Sequence, residues 1–490
     1  MGARIYFSPV EFETVIGLEV HVQLSTRSKM FCGCSADYAG ASPNTHVCPV
    51  CLGLPGVLPT INEEAVRYTV MTALALNCSI LEETKFDRKN YFYPDLMKGY
   101  QISQYDAPIG KKGRLEIGPA EAKKRVAITR VHLEEDVAKL LHRDGYSLVD
   151  VNRSGVPLME IVSEPDIRSP EEARDYLVKL RSILQYLGVS TANMEEGSFR
   201  CDANISIRPV GSSELMGKVE VKNMNSFRAV YRALSYEEER QRKAFISGEK
   251  IAQETRGWLE EGITVLQRSK EYAHDYRYFP EPDLPPLALS AEYINGVRKS
   301  LPELPEARQK RFITDYGLSP YDSMVLTTDK AMADYFESCI DLDKSKPVPE
   351  YAKEVANWLL GEFSHNLASA EINIDNSPVA PDKLCRLISL IDEGKITMAV
   401  AKDVLAEMFS SGGDPYDIVQ ARGLLQISNS AELEEVIKEV LANNPQAVSD
   451  YQQGKPQAIK FLVGQVMKRT KGRANPNLAA DLLSKKLEVK

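Results

Sequence analysis

Glu19 and His21 stand two residues apart in Glu13–Leu24, where Ile16, Leu18, Val20, Val22 and Leu24 alternate with Gly17, Glu19, His21 and Gln23. A period of two is the mark of a strand with one buried face, so the carboxylate and the imidazole leave the same solvent-facing side. In a concave site such a pair is a platform for a divalent cation; elsewhere it is a surface salt bridge. Further acids extend the platform. Glu134-Glu135-Asp136 follows Val131-His132-Leu133 and sets adjacent carboxylates at a strand end or loop, where they repel unless solvated or neutralised by a cation. Glu160 sits in Pro157–Val162, apolar on both sides, and a carboxylate buried there is costly unless paired, hydrogen-bonded or metal-bound. Asp202 lies between Arg200 and Asn204 on the polar face of Phe199–Arg208. Oxygen ligands with one imidazole suit Mg²⁺ or Mn²⁺ better than Zn²⁺.

Near these acids the chain offers fixed cations: Arg88, Lys89, Arg200, Lys222, Arg256 and Arg277. Carboxylate-held Mg²⁺ with Arg and Lys is the inventory that stabilises a transferring phosphoryl group, although each cation taken singly is better explained by structure. Neither a GxxxxGK[ST] loop nor a kinase Gly-rich loop is present, so any ATP chemistry has to use a sheet-borne metal site. Arg200 and Lys222 are the candidates for catalysis beside Glu134 and Glu135, and Arg88, Lys89, Arg256 and Arg277 for holding ATP.

Four of the eight cysteines cluster as Cys32-x-Cys34 and Cys48-x-x-Cys51. Two short chelating pairs joined by a loop are what a tetrahedral Zn²⁺ requires, and four thiolates leave no open position for water, so the site is expected to be structural. A disulfide pair is the alternative, disfavoured in a reducing compartment. His46 lies inside the loop and is not expected to be a ligand. The other four cysteines read as small buried hydrophobes.

The elements that must position these groups follow from the same patterns. Alternating segments up to about Pro286 point to an antiparallel sheet with one wet face. Ser169-Pro170-Glu171-Glu172 is a helix start, Tyr176, Leu177, Leu180, Ile183, Leu184 and Leu187 form its stripe, and Gly188 stops it. Ser226–Ile246 reads as a second amphipathic helix. After the proline-rich 280–286 and 302–305 segments the pattern is helical, with a break at Ser410-Ser411-Gly412-Gly413-Asp414-Pro415. The expected class is α+β, with a sheet body over 1–293 carrying the cysteine insertion near 32–51, a helical domain over 294–411 and a tail domain over 412–490. With 43% apolar and 26% charged residues the chain is neither fibrous nor wholly disordered. No run reaches the roughly 18 apolar residues of a membrane span. The N-terminus lacks an apolar secretory region, and Tyr6 spoils a Met1-Gly2 myristoylation signal, so a cytoplasmic or organelle-matrix protein is expected. The net charge of −9 argues against a general coating of nucleic acid. Residues 455–490 differ: Lys455, Lys460, Lys468, Arg469, Lys471, Arg473, Lys485, Lys486 and Lys490 face only Asp481 and Glu488.

The runs ETVIGLEVHVQL, FDRKNYFYPD, HLEEDVAK, NRSGVPLMEIVSEPD, MEEGSFRCDANIS and DYRYFPEPD together resemble the B subunit of the aspartyl/glutamyl-tRNA amidotransferase, the GatB family. GKPQAIKFLVGQVMKRTKGRANPNLAADLL is similar to that family's YqeY-like tail. The resemblance implies a glutamine-synthetase-like body and a Mg²⁺-dependent kinase step in which ATP activates the side-chain carboxylate of a misacylated Glu-tRNA(Gln) or Asp-tRNA(Asn). Ammonia, released from glutamine by the A subunit and delivered through a channel, then forms the amide. By motif match Glu19, His21, Glu135, Glu160 and Asp202 hold the metal, while Glu134, not separable from Glu135 here, is a candidate for ammonia delivery. The Ser-rich amidase signature of the A subunit is not found, nor is there room for the inserted domain of the archaeal GatE relative. The B subunit of a heterotrimer with the A and C subunits is therefore favoured. Lys455, Lys460, Lys468, Arg469, Lys471 and Arg473 become candidates for phosphate contacts with tRNA, a solvated basic helix being the plain alternative. A non-catalytic tRNA-binding scaffold and a ligase for a small carboxylic acid are the competing functions.

Overall fold

The computed structural model describes residues 11–269, 276–343, 346–427, 430–453, 455 and 457–488. The N-terminal stretch considered for targeting, and Lys490, lie outside them. The chain divides into two compact units, one up to Pro305 and one from Glu306. The structure is α+β: a large, mostly antiparallel sheet comes first and helices follow.

In chain order the strands that position the site are β1 (Phe12–Gln23), β2 (Ser79–Ile80), β3 (Asp87–Asn90), β4 (Tyr100–Ser103), β5 (Gly110–Ile117), β6 (Lys124–Glu135), β7 (Pro157–Ser163), β8 (Phe199–Pro209), β9 (Val219–Met224), β10 (Glu254–Trp258), β11 (Thr264–Ser269) and β12 (Phe279–Pro280). Nine of them form one sheet in the order β11-β10-β9-β8-β1-β7-β6-β5-β2. All neighbours are antiparallel except β9 and β10. A smaller sheet pairs β12, β3 and β4.

Burial follows the alternation. Ile16, Leu18, Val20 and Val22 of β1 are buried, as are Met159 and Ile161 of β7 and Cys201, Ala203 and Ile205 of β8. They pack under helices α1 (Glu63–Ala75), α2 (Pro170–Leu187) and α3 (Phe227–Ser247) in one apolar cluster. The α2 start is as the sequence requires: Ser169 Oγ accepts from the Glu172 N–H at 3.2 Å, and Gly188 ends the helix with φ +67°. Ser226 caps α3 in the same way. With helices on one face, the other face of the sheet is left for polar groups.

One irregularity decides which side chains reach that face. Opposite β7 the pairing of β6 slips between Ile128 and Arg130, a β-bulge at Thr129. Val126 and Ile128 point to the core before it, and Val131 and Leu133 after it. The bulge thus brings Arg130, His132 and Glu134 onto the polar face. On β5 the core-facing residues change parity likewise, at Lys112 (φ +55°). A Cβ on Gly113 would lie 2.4 Å from Cys78 Sγ, so glycine is required for this approach.

The second unit is helical and holds two apolar clusters, one from Phe312 to Val419 and one from Ile427 to Leu487. The sequence break at 410–415 is a turn, Gly412 at φ +65° and Asp414 capping the helix Pro415–Ala421. That helix sends Ile418 and Val419 into the first cluster. No helix among the described residues is long and apolar enough to cross a membrane.

A charged knot joins two helices of this unit. Glu337 accepts from Arg308 at 2.5 Å, Arg311 at 2.6 Å and the Tyr316 hydroxyl at 2.8 Å. Burial works against ionisation, but these three donors hold its pKa at about 2. Because the folded pKa lies below the unfolded one, the stabilisation is complete above about pH 4.3 and fades as the pH falls towards the folded value. Glu337→Gln is therefore expected to lower stability at pH 7 by roughly 2 kcal/mol, a figure reduced for partial exposure. Denaturant titrations of wild type and variant should converge as the pH is lowered through that window.

Candidate active site and metal centres

The register of β1, β7 and β6 sets His21 opposite Glu160 and Glu160 opposite His132. Three side chains from three strands thus stand in one row across the polar face. His21 Nε2 lies 3.4 Å from Glu160 Oε2 and 3.7 Å from Glu134 Oε1. His132 Nε2 approaches the same carboxylates at 3.5 and 3.6 Å. Glu134 and Glu160 are buried, and the ligand atoms of His21, Glu134 and Glu160 all lie within 4.8 Å of one another.

Burial opposes ionisation of Glu134, but His132 and Lys89 hold it below the usual carboxylate range; His132 and His21 do the same, more strongly, for Glu160. Burial likewise opposes the charge on His21, yet Glu160, Glu134 and Asp202 raise it to about 8. Lys89 is also raised against burial, by Glu134, Tyr278 and Glu160, and its ammonium lies 5.1 Å from the centroid of the Tyr276 ring. Arg130 approaches Glu160 at 3.6 Å. The buried Nε of Arg130 and Nδ1 of His132 have no hydrogen-bond partner among the described residues. Two buried carboxylates and one imidazole converging on a point fit a hard divalent cation of the Mg²⁺ type.

Of the five expected metal residues the structure brings His21 and Glu160 together, and adds Glu134. Glu135 goes elsewhere. Adjacent residues of a strand face opposite sides, and its carboxylate accepts from Lys98 Nζ at 2.6 and 2.8 Å and from the Ile102 N–H at 2.9 Å. There it lines a cavity of about 130 Å³ with Lys98, Tyr100, Cys32 and Cys51. Glu19 shares the face of His21 but accepts from Asn204 at 3.1 Å. Asp202 is paired with Lys222, which also lies 3.3 Å from Glu220.

The expected cations divide in the same way. Arg200 donates at 2.9 Å to Asp136, which Gln23 also holds at 2.7 Å, so this pair ties β8 and β1 to the end of β6. Lys89 is placed against the carboxylates. Arg88, its neighbour on β3, turns the other way, forms two 2.7 Å bonds to Glu281 and lies 4.3 Å from the Tyr100 ring centroid. Arg256 is 3.2 Å from Glu237 of α3, on the helix side of the sheet. Arg277 is exposed, and its backbone carbonyl accepts from Asn90 at 2.9 Å. Arg88 and Arg256 are thus ion-paired away from the carboxylate row.

His132 and Arg130 are site residues that the sequence reading passed over. The alternation Arg130-His132-Glu134 carries their signal, but it is hidden by the apolar neighbours Val131 and Leu133. Lys98 has no local signal.

The four cysteines also converge, with Sγ atoms all within 4.8 Å of one another. None of the eight cysteines is in a disulfide. The Cys48 N–H donates to Cys51 Sγ at 3.1 Å. Hydrogen bonding from Cys32 lowers Cys51 to about 4, and the same bond pushes Cys32 up. Four sulfurs sharing protons at this spacing fit a tetrahedral divalent metal. His46 is not in the set.

In the second unit, Lys460, Lys468 and Lys471 are exposed, and none has an ion pair with another described residue. Lys455 pairs with Asp450 at 3.0 Å, Arg469 with Glu439 at 3.0 Å, and Arg473 donates to the Gly423 carbonyl at 3.1 Å.

Comparison with known proteins gives the class of the domain that carries this carboxylate-and-imidazole row. The family model described as the GatB/GatE catalytic domain matches residues 14–295, and a second, described as GatB domain, matches residues 334–487. The aspartyl/glutamyl-tRNA(Asn/Gln) amidotransferase B subunit of Dehalococcoides mccartyi is 61% identical over 488 residues, 98% of this chain and 99% of that protein. The proteins of the same name from Thermomicrobium roseum and Carboxydothermus hydrogenoformans are 57% and 54% identical, over 98% and 97% of this chain and 99% of each relative. The chain belongs to the family of tRNA-dependent amidotransferase B subunits.

The alternation on β6 gives a direct test. Glu134→Gln is expected to weaken Mn²⁺ binding, read by electron paramagnetic resonance, by at least about tenfold. Glu135→Gln should leave it near wild type but cost roughly 2 kcal/mol of stability, because Lys98 loses its partner. The reverse ranking would place the cation on the other side of the strand.

Proposed function

We propose that the row His21, Glu134 and Glu160 is the cation-binding centre of an ATP-dependent step that activates the side-chain carboxylate of Glu-tRNA(Gln) or Asp-tRNA(Asn). The observation that carries this reading is the meeting of their ligand atoms on one sheet face, with Lys89 and Arg130 beside them. When bound, Mg²⁺ supplies neutralisation of phosphate charge. The substrate's carboxylate oxygen attacks the γ-phosphorus of ATP and ADP leaves. Ammonia then attacks the acyl carbon of the acyl-phosphate, phosphate leaves, and the added nitrogen gives up a proton to yield the neutral amide. Glu134 and Glu160 hold negative charge at fixed points. Lys89 and Arg130 offset the charge that builds on the transferring group. Lys222 and Arg200, in the expected catalytic set, act from their pairs with Asp202 and Asp136 by holding the floor of the site.

Next to the row runs a basic groove of about 560 Å³ lined by Lys111, Lys112, Arg114, Arg125, Arg130 and Glu164, with Tyr105 at its side. Lys112, Arg114 and Arg125 have no ion pair with another described residue. Fixed cations beside an aromatic ring suit the phosphates of a substrate delivered to the row. In this reading 1–293 is catalytic and the tail, 412–490, holds the tRNA body through Lys455, Lys460, Lys468, Arg469, Lys471 and Arg473, of which Lys460, Lys468 and Lys471 are the least engaged within the chain. The partners are the glutaminase of the complex, its A subunit, and the C subunit; the setting is the cytoplasm or an organelle matrix. Zn²⁺ at the four cysteines is structural.

Reconstituted with the A and C subunits, the chain should convert Glu-tRNA(Gln) to Gln-tRNA(Gln) only with ATP and a divalent cation, using glutamine or free ammonium. Acylated tRNA separated before and after reaction reads this out. Binding of tRNA without any ATP turnover would leave a scaffold instead.

The two basic regions can be told apart by salt. Arg114→Ala with Arg125→Ala, or Lys460→Ala with Lys468→Ala, should each weaken tRNA binding and flatten the slope of log affinity against log salt by about two units or less. An unchanged slope in either pair removes that region from the path of the phosphates.

A further inference from the structure

Lys29 is 1% exposed, deep in the cysteine module. Its ammonium donates to the His46 carbonyl at 2.8 Å and lies 3.4 Å from the Val151 carbonyl. It forms no ion pair with a carboxylate among the described residues. Carbonyl dipoles satisfy its N–H groups, but they do not neutralise a full charge held out of water. The module that encloses it carries four cysteine sulfurs within 4.8 Å of one another. The backbone N–H of Lys29 donates to the Cys34 carbonyl at 2.9 Å, which fixes the residue against the cysteine pair. The Lys29 side chain and Cys51 both flank Gly155, where a Cβ would lie 3.5 Å from Lys29 Cδ and 3.9 Å from Cys51 Cβ. Four thiolates around one divalent ion leave a double negative charge, and half of it is what one ammonium cancels.

We propose that Lys29 is the internal counter-cation of the four-cysteine metal centre, a positioning residue whose burial is tolerable only with the metal in place. This rests on the metal reading of the cysteines. It also gives the centre a link to the row on the sheet. Lys29 lies against the Val151 carbonyl and the Met30 N–H donates to the Gly155 carbonyl at 2.6 Å. The loop so held leads directly into β7, which carries Glu160.

The test uses the full chain in its complex, with Lys29→Met and Lys29→Gln. Metal content is measured by elemental analysis and metal release by a chromogenic chelator. Melting is followed with metal bound and after stripping under reducing conditions. Wild type should hold one equivalent of zinc, and both variants should release it about 10- to 100-fold faster. With metal, both should melt below wild type. Without metal, Lys29→Met should melt at or above wild type, because the uncompensated charge has gone. If Lys29→Met does not fold, Lys29→Gln, which keeps a donor for the His46 carbonyl, gives the same comparison. Release at the wild-type rate overturns the proposal, and so does an equal loss of melting temperature with and without metal. A wild-type chain that holds no metal overturns the metal reading itself.

Discussion

Two carboxylates held out of water beside one imidazole repel each other at a dielectric far below that of bulk solvent. The first unit is arranged around that repulsion between Glu134 and Glu160. Helices take the opposite face of the sheet, so nothing apolar competes for the row. His132 stands behind both acids and Arg130 and Lys89 at their side, which keeps them ionised despite burial. The antiparallel register of β1, β7 and β6 does the positioning: a shift of one residue in any of the three would turn its contribution into the helix-packed core. The cost of the cluster in the resting protein is the reserve of binding free energy that a divalent cation can claim.

Legibility from the sequence follows the range of the interactions. The alternation of β1 and β8, the capped start of α2 at Ser169 and the glycine stop at Gly188 are local rules, and the fold obeys them. The pairing of strands is not local. Glu281 lies 193 residues from Arg88, and only the assembled sheet shows that the two neutralise each other. Some of what was missed was nevertheless written locally. Glu134 and Glu135 share one strand and so cannot share one face, and the same rule separates Arg88 from Lys89. The bulge at Thr129 is harder. It inverts the parity of β6 midway, so no single alternation runs through Lys124–Glu135, and His132 reads as an insertion in an apolar run.

The two candidate metal centres sit on different physical footings. The carboxylate row uses hard oxygen ligands on strands whose positions the core dictates. The cysteine centre uses soft ligands on a loop with few apolar contacts of its own, tied down through Gly155, Val151 and Asn152. A centre of the first kind can exchange its ion; one of the second kind has to keep it for the loop to have a shape.

Consecutive carboxylates at the end of β6 leave for opposite sides of the sheet, Glu134 towards the row and Glu135 towards Lys98 and the cysteine-flanked cavity. A single peptide unit is therefore common property of both neighbourhoods. Tilting it displaces the two side chains in opposite senses, so neither can be re-aimed alone. Amino-acid changes around the cavity are constrained by what the far side of the sheet accepts, the more so because Ser103 donates to Glu134 at 3.1 Å and the N–H of its neighbour Ile102 to Glu135 at 2.9 Å. Compensating substitutions among related chains should then occur in pairs that straddle this strand.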